Sequence, residues 1–176
     1  MNDFDYTVSL LGDFFYRRKI QHGLSTIWDV GISGWEVWLQ VEFSVFLSRY
    51  YEGEIEWMRE HRLLVDRRKD KERTNLAADF AFRRKGYARD RYIVLEFKQN
   101  SSPKQCFSNM LKDVEKVRCA RASEMDMRNF WTVGVHPKNP MRKADIKNYL
   151  AENANVQKES VATRFIPNTN YAFTVF

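Results

Sequence analysis

The fold is decided by two neighbouring stretches, LAADFAF at residues 76–82 and YIVLEFK at residues 92–98. Both are rich in aliphatic and aromatic residues, the second also in β-branched ones, and both have the length of a strand rather than of a helix. Gly86 lies between them, where a glycine permits a tight turn. We therefore expect a β-hairpin whose second strand is central in a sheet.

The segments around this hairpin predict more strands and a helix. Residues 63–65 (LLV) and 130–135 (FWTVGV) have the composition of strand cores. Ser102 followed by Pro103 is typical of a helix start, with Ser102 as the N-cap and Gln105 completing a capping box. The order of these elements predicts three strands, a helix and a fourth strand.

Helices are also predicted before and after the sheet. Residues 4–22 have helical spacing up to Gly23, and residues 35–47 are apolar nearly all round, which predicts a largely buried helix that ends near Gly53. A short amphipathic helix beyond Pro140 is expected to lead to a terminal strand at residues 171–176. The fold class is thus α/β, with a central mixed four-stranded sheet flanked by helices.

Length and composition set the domain organisation. The chain has 176 residues, 44% of them hydrophobic and 15% aromatic, which fits one folded domain over residues 1–176. Its αβββαβ core is expected at about residues 35–136, since no stretch is rich enough in Gly, Ser or Pro to divide domains.

Acidic residues and a lysine are predicted to meet on one face of the sheet. Side chains alternate along a strand, so Glu96 and Lys98 point to the same face. In the preceding strand Asp79 shares a face with two alanines, which leave open space beside it. Pairing of the two strands brings Asp79 and Glu96 together, and two carboxylates at close range favour a divalent cation. Glu42, within the apolar helix, could supply a third carboxylate.

This combination resembles the PD-(D/E)xK nuclease superfamily, the restriction-endonuclease-like fold. The resemblance rests on Glu42 in a helix before the sheet, Asp79 in the second strand, residues 96–98 (EFK) in the third and the capped helix that follows. It covers about residues 35–136. The family usually has proline before the aspartate, where this chain has Ala78.

The resemblance implies a role for each of these residues. Asp79 and Glu96 would bind Mg²⁺ or Mn²⁺, with the Phe97 carbonyl as a further ligand and Glu42 as an outer or second-metal ligand. Lys98 would position the attacking water. The family often carries an accessory polar residue in the next helix, for which Gln99, Gln105 and Lys112 are the candidates.

The charge distribution favours a polyanionic partner. Lys and Arg number 29 against 23 Asp and Glu, and the segment from residue 59 to residue 98 holds 13 basic against 7 acidic residues. This difference of six equals the net charge of +6 of the whole chain. Nucleic acid is the expected partner, with a solvated mixed-charge surface as the alternative, and the resemblance to the nuclease superfamily implies DNA in preference to RNA. The candidate nucleic-acid-binding residues are Arg67, Arg68, Lys69, Arg83, Arg84 and Lys85.

Several function classes are not supported by the sequence. No apolar run approaches the length of a membrane span and the N-terminus is acidic, so no membrane partner and a cytoplasmic location are expected. Cys106 and Cys119 have neither redox nor zinc spacing and are expected to be reduced thiols. The P-loop, zincin and nucleophile-elbow motifs do not occur.

Three functions remain open from the sequence. The leading hypothesis is a Mg²⁺-dependent endo- or exonuclease. The alternative is a catalytically inactive module with the same fold that binds nucleic acid or protein, such as a regulatory or anti-defence factor of a phage or mobile element. The third is an interaction protein whose terminal strand, residues 171–176, pairs with a protein partner or with a second copy in a homodimer.

Overall fold

The protein is an α/β structure with helices on both faces of a mixed sheet. A computed structural model describes residues 2–64, 75–87, 92–120, 127–138 and 141–176. The helices are α1 (Asp3–Phe15), α2 (Arg18–Val30), α3 (Glu36–Tyr50), α4 (Pro103–Ala120) and α5 (Lys143–Ala154). The strands are β1 (Ile55–Leu64), β2 (Asn75–Arg84), β3 (Tyr92–Gln99), β4 (Met127–Pro137), β5 (Ala162–Phe165) and β6 (Tyr171–Val175). None of the described helices has the length and apolarity needed to cross a membrane.

The sheet has six strands in the order β1-β2-β3-β4-β6-β5, rather than the four predicted. The strands predicted at residues 76–82, 92–98 and 130–135 are β2, β3 and β4, whereas the first strand, predicted around residues 63–65, begins earlier, as β1 runs from Ile55 to Leu64. β3 and β4 are parallel, and the remaining neighbours are antiparallel. β5 was not predicted, because its four residues, ATRF, lack the alternation that marks a half-buried strand. Together β5 and β6 extend the sheet beyond β4.

The terminal strand is not available for pairing with a partner. β6 pairs with β4 on one side and with β5 on the other, and its residues are buried throughout. The prediction that this strand binds a protein partner or a second copy is therefore wrong, because its backbone groups already lie within the sheet. Within the described residues, the edge strands are β1 and β5.

Helix α4 packs closely on the face of the sheet that carries Lys98. Lys98 pairs with Gly134 in the parallel β3–β4 ladder, and a Cβ atom at Gly134 would lie only 2.3 Å from Met110 Sδ and 2.8 Å from Cys106 Sγ. The predicted helix start is confirmed, since the Gln105 N–H donates to Ser102 Oγ at 3.4 Å. The Gln105 side chain donates to Asn109 instead of returning to the cap.

Helices α1 to α3 cover the opposite face with a largely aromatic core. Phe43 contacts Phe14 of α1, Phe80 of β2 and Phe97 of β3, with ring centroids 5.0 to 5.2 Å apart. Phe80 and Phe97 therefore point away from α4, as the predicted alternation along these strands requires.

The N-terminal region is two helices rather than the one predicted over residues 4–22. The first helix ends at Phe15 and the second begins at Arg18, so Gly23 lies inside α2 instead of ending a helix. A Cβ atom at Gly23 would be 2.5 Å from the Trp38 ring, so this glycine permits close packing of α2 on α3. The predicted buried helix is α3, although Val37 and Val41 are exposed.

Candidate active site

The site forms where β2 and β3 stop pairing through their backbones. The two strands pair from Phe82 opposite Ile93 to Phe80 opposite Leu95. At the next position the Asp79 N–H donates to Glu96 Oε2 at 3.2 Å, and the Phe97 N–H donates to Asp79 Oδ2 at 2.7 Å. Side-chain oxygens thus take the place of backbone acceptors. This exchange brings the carboxylates of Asp79 and Glu96 together, as their spacing in the sequence predicts.

The ammonium group of Lys98 lies among three carboxylates. Its Nζ is 2.7 Å from Glu96 Oε1, 3.2 Å from Asp113 Oδ2 and 3.9 Å from Glu36 Oε1. The Lys98 side chain is 18% exposed and that of Glu96 16%, so solvent screens these contacts little. We call Asp79, Glu96, Lys98, Asp113 and Glu36 the acidic cluster.

The acid that α3 contributes is Glu36 and not Glu42. Glu36 Oε2 accepts a hydrogen bond from the Gln99 N–H at 3.1 Å. Gln40, one turn later, hydrogen-bonds to Asp79 and accepts from Arg59. Because residues four apart share a helix face, this face of α3 points to the cluster.

Glu42 lies on another face of α3, where its Oε1 forms an ion pair with Lys19 Nζ at 2.7 Å. Its neighbours there include Phe14, Arg17 and Tyr50. Glu42 is two residues beyond Gln40, which rotates it well away from the side that meets β2 and β3. The structure therefore does not bring Glu42 to the cluster, and Glu36 takes the place expected for it.

Asp113 is also a member of the cluster, although it was not predicted from the sequence. It is 5% exposed, and its Oδ1 is 2.5 Å from Lys116 Nζ while Oδ2 faces Lys98. A signal was present, because Asp113 interrupts the stripe of Cys106, Met110 and Val117 that faces the sheet at helical spacing. An acid on the buried stripe of a helix needs a partner, which here is a lysine on either side.

The three accessory candidates differ in their placement. Gln99 reaches the cluster through its backbone N–H, which donates to Glu36. Gln105 is exposed and hydrogen-bonds to Asn109. Lys112 is exposed beside Asp113 and, unlike it, makes no hydrogen bond or ion pair with the cluster within the described residues. Asp113 is therefore the residue of α4 that meets Lys98.

Burial and mutual repulsion raise the pKa values of the two central acids. Burial raises the pKa of Asp79 to about 6, against the lowering effect of the Phe97 N–H. Burial and the nearby charge of Asp79 raise the pKa of Glu96 to about 7. Burial alone would lower the pKa of Lys98, but the charges of Glu96, Asp113 and Glu36 outweigh it and raise that pKa. Lys98 is therefore charged at neutral pH, whereas Asp79 and Glu96 are protonated up to a higher pH than ordinary carboxyl groups.

The donor set suits a hard divalent cation in part. Among the residues that the structure describes, no group of three His, Cys, Asp or Glu side chains is arranged to hold a metal ion. Asp79 and Glu96 nonetheless provide two adjacent, repelling carboxylates, and Mg²⁺ is commonly held by one or two carboxylates together with water and substrate phosphates. A cation between these two acids would relieve their repulsion.

The predicted basic residues differ in their placement. Arg83 donates from Nε and a terminal nitrogen to Glu56 Oε2, at 2.9 and 2.6 Å. Arg84 lies 4.0 Å from the centroid of the Tyr6 ring, and Lys85 is exposed. Arg67, Arg68 and Lys69 lie outside the described residues. Within the described hairpin, Lys85 is thus the basic residue most accessible to a phosphate backbone.

Comparison of the chain with protein-family models, with curated proteins and with solved structures gives no match. The function is therefore inferred from the residues and geometry of the acidic cluster.

Proposed function

We propose that the chain is a metal-dependent nuclease that hydrolyses phosphodiester bonds, with DNA favoured over RNA as substrate, on a restriction-endonuclease-like fold of the PD-(D/E)xK superfamily. The observation that carries the proposal is the contact between Asp79 and Glu96, with Lys98 against Glu96. Two carboxylates and a lysine at one site meet the needs of phosphodiester hydrolysis, which are a bound cation, an activated water and positive charge near the phosphate.

Asp79 and Glu96 would hold the cation. Their raised pKa values reflect the free energy required to keep two charged carboxylates in a buried site, and a cation reduces that free energy. When bound, Mg²⁺ or Mn²⁺ would supply positive charge against the charge that builds up on the phosphate. Glu36 replaces Glu42 as the third acid of the proposed site.

Lys98 acts in this proposal as a hydrogen-bond donor and a positive charge. Because its pKa is raised, Lys98 keeps its proton at neutral pH and does not serve as a general base. Its contacts with Glu96 and Asp113 hold the ammonium group in place from two sides. Asp113 is accordingly a positioning residue for Lys98.

The second candidate is a catalytically inactive module that keeps the fold and binds nucleic acid or protein. It is favoured by the ammonium group of Lys98, which already neutralises Glu96 at 2.7 Å, so the cluster is stable without a cation. In that case the cluster is a buried ion-pair network, and the protein would act through binding alone.

Cleavage assays separate the two candidates. Supercoiled plasmid, linear duplex and single-stranded substrates are incubated with Mg²⁺, Mn²⁺ or EDTA. The nuclease proposal predicts metal-dependent cleavage that is lost in Asp79→Asn and Glu96→Gln, while nucleic-acid binding remains because phosphate contacts are separate from the cation site. Lys98→Ala should lower the turnover number more than the metal affinity.

Two residues of α3 provide a matched pair of variants for the same assay. Glu36→Gln and Glu42→Gln each replace a partly buried carboxylate with an amide of the same shape. The proposal predicts reduced cleavage for Glu36→Gln and wild-type cleavage for Glu42→Gln. No cleavage of any substrate by well-folded wild-type protein with either metal would favour the inactive module.

A further inference from the structure

A cavity between α1 and the β2–β3 hairpin is lined by three arginines. Its volume is about 200 Å³, and its lining includes Asp3, Tyr6, Arg83, Arg84, Tyr87 and Arg128. We call it the arginine cavity. Arg84 contacts Tyr6 of α1, whereas Glu96 and Lys98 face α4 through Asp113. The cavity is therefore separate from the acidic cluster.

Two of the three guanidinium groups already have acidic partners. Arg83 is engaged by Glu56 and also donates to the Tyr87 carbonyl. Arg128 Nε lies 2.5 Å from Asp3 Oδ2, which also accepts from Asn129 at 2.7 Å. The charges of Asp3 and Glu56 are thus balanced by these arginines.

Arg84 differs, because no carboxylate forms an ion pair with it in the part of the chain that the structure describes. Its side chain hydrogen-bonds to two tyrosines, Tyr6 and Tyr87. Gly86, with φ +86°, forms the tight turn that returns Tyr87 towards Arg84, whose carbonyl accepts from the Tyr87 N–H at 3.2 Å. The turn therefore places a phenol hydroxyl beside a guanidinium group that has no ion pair with a carboxylate among the described residues.

We propose that the arginine cavity binds a phosphate group. Arg84 provides planar paired donors and a charge that no carboxylate of the described residues pairs with, and the hydroxyls of Tyr6 and Tyr87 provide further donors from α1 and from the turn. Several donors from different directions suit the tetrahedral phosphate better than a planar carboxylate, which one guanidinium satisfies. The volume admits one phosphate with some water, since a water molecule occupies about 30 Å³ in the liquid. This inference goes beyond the proposed nuclease function and does not depend on it.

The phosphate can be a free or terminal group, or it can be part of a nucleic-acid backbone. Isothermal titration of the full chain at low ionic strength distinguishes these sources with three probes. The probes are inorganic phosphate and a dinucleotide with and without a 5′-phosphate. Binding of phosphate and of the phosphorylated dinucleotide alone assigns the cavity to a terminal group, and equal binding of both dinucleotides assigns it to the backbone.

Variants show whether binding takes place in the cavity. Arg84→Gln should weaken binding by about tenfold or more, because it removes a charged donor. Tyr87→Phe removes only a hydroxyl from a half-exposed ring and should weaken binding to a smaller extent. Arg142→Gln is the matched control, because Arg142 is 84% exposed and pairs with Asp145 on the surface. It should bind like wild type.

Thermal unfolding of each variant checks that it folds. The Tyr87→Phe result keeps the test valid if Arg84→Gln is unstable. The inference is overturned if no probe binds, or if folded Arg84→Gln and Tyr87→Phe both bind with wild-type affinity.

Discussion

The raised pKa values of Asp79 and Glu96 make the stability of the protein depend on pH in a specific direction. A carboxyl group whose pKa is higher in the folded than in the unfolded state favours folding when it is protonated. As pH rises from the unfolded value of about 4 towards the folded value, the unfolded chain releases the proton first. Stability therefore falls between about pH 4 and pH 7.

The structure gives the magnitude for Glu96. Its pKa rises from the ordinary value of 4.5 to about 7, a difference of about 2.5. A tenfold change in the acid dissociation constant is about 1.4 kcal/mol, so this difference corresponds to about 3 kcal/mol of folding free energy. Because Asp79 and Glu96 lie in contact, they titrate as a pair, and the two contributions do not simply add.

Glu96→Gln tests this directly. The amide keeps the shape of the side chain but cannot titrate, so the decrease in unfolding free energy between pH 4.5 and pH 8 should be smaller than that of wild type by about 3 kcal/mol. The measurement is urea unfolding followed by circular dichroism at several pH values. Glu42→Gln is the control, because its partner Lys19 is 71% exposed and the pair is screened by solvent.

The result that would refute the reasoning is a parallel decrease for wild type and Glu96→Gln across this range. It would mean that the proximity of the two acids has no energetic consequence for folding. A decrease that is altered equally in Glu42→Gln would also contradict it, because the effect would then belong to net charge rather than to the cluster.

Two further predictions concern packing and nucleic-acid binding. Gly134→Ala should destabilise the protein by about 1–3 kcal/mol, because the added methyl group would overlap Met110 Sδ, and a wild-type melting temperature would contradict this contact. Lys85→Gln should reduce the slope of log affinity against log salt concentration for duplex DNA by about one. Arg83→Gln loses its ion pair with Glu56, so it should lower the melting temperature and leave the salt slope unchanged. A reduced salt slope in Arg83→Gln and an unchanged one in Lys85→Gln would show that Arg83 rather than Lys85 contacts the phosphates.

The central strands could be predicted from the sequence because local rules decide them. The alternation of residues 92–98 places Leu95 and Phe97 in the aromatic core and Lys98 towards α4, as the structure has it. Ser102 caps α4 because a serine before proline favours a helix start in any context. β5 and the division of the first helix depend on tertiary contacts, which the local pattern does not contain.

The composition of the cluster was predicted only in part, for a geometrical reason. Asp79, Glu96 and Lys98 come from strands, where a period of two assigns each side chain to a face. On α3 the angle around the helix decides which acid meets the sheet, and the apolar surroundings of Glu42 pointed to that residue, whereas Glu36 in the first turn is the one that reaches the cluster. Asp113 was missed although it interrupts the apolar stripe of α4, because this helix carries many other charged residues.

The central claim is that Asp79 and Glu96 together form a cation site. Isothermal titration of the full chain with Mn²⁺ at pH 8, where both acids are largely ionised, tests it without requiring a substrate. The account predicts binding by wild type and by Glu42→Gln, and loss of binding in Asp79→Asn and in Glu96→Gln. Equal Mn²⁺ binding by all four proteins, or no binding by wild type, would contradict it.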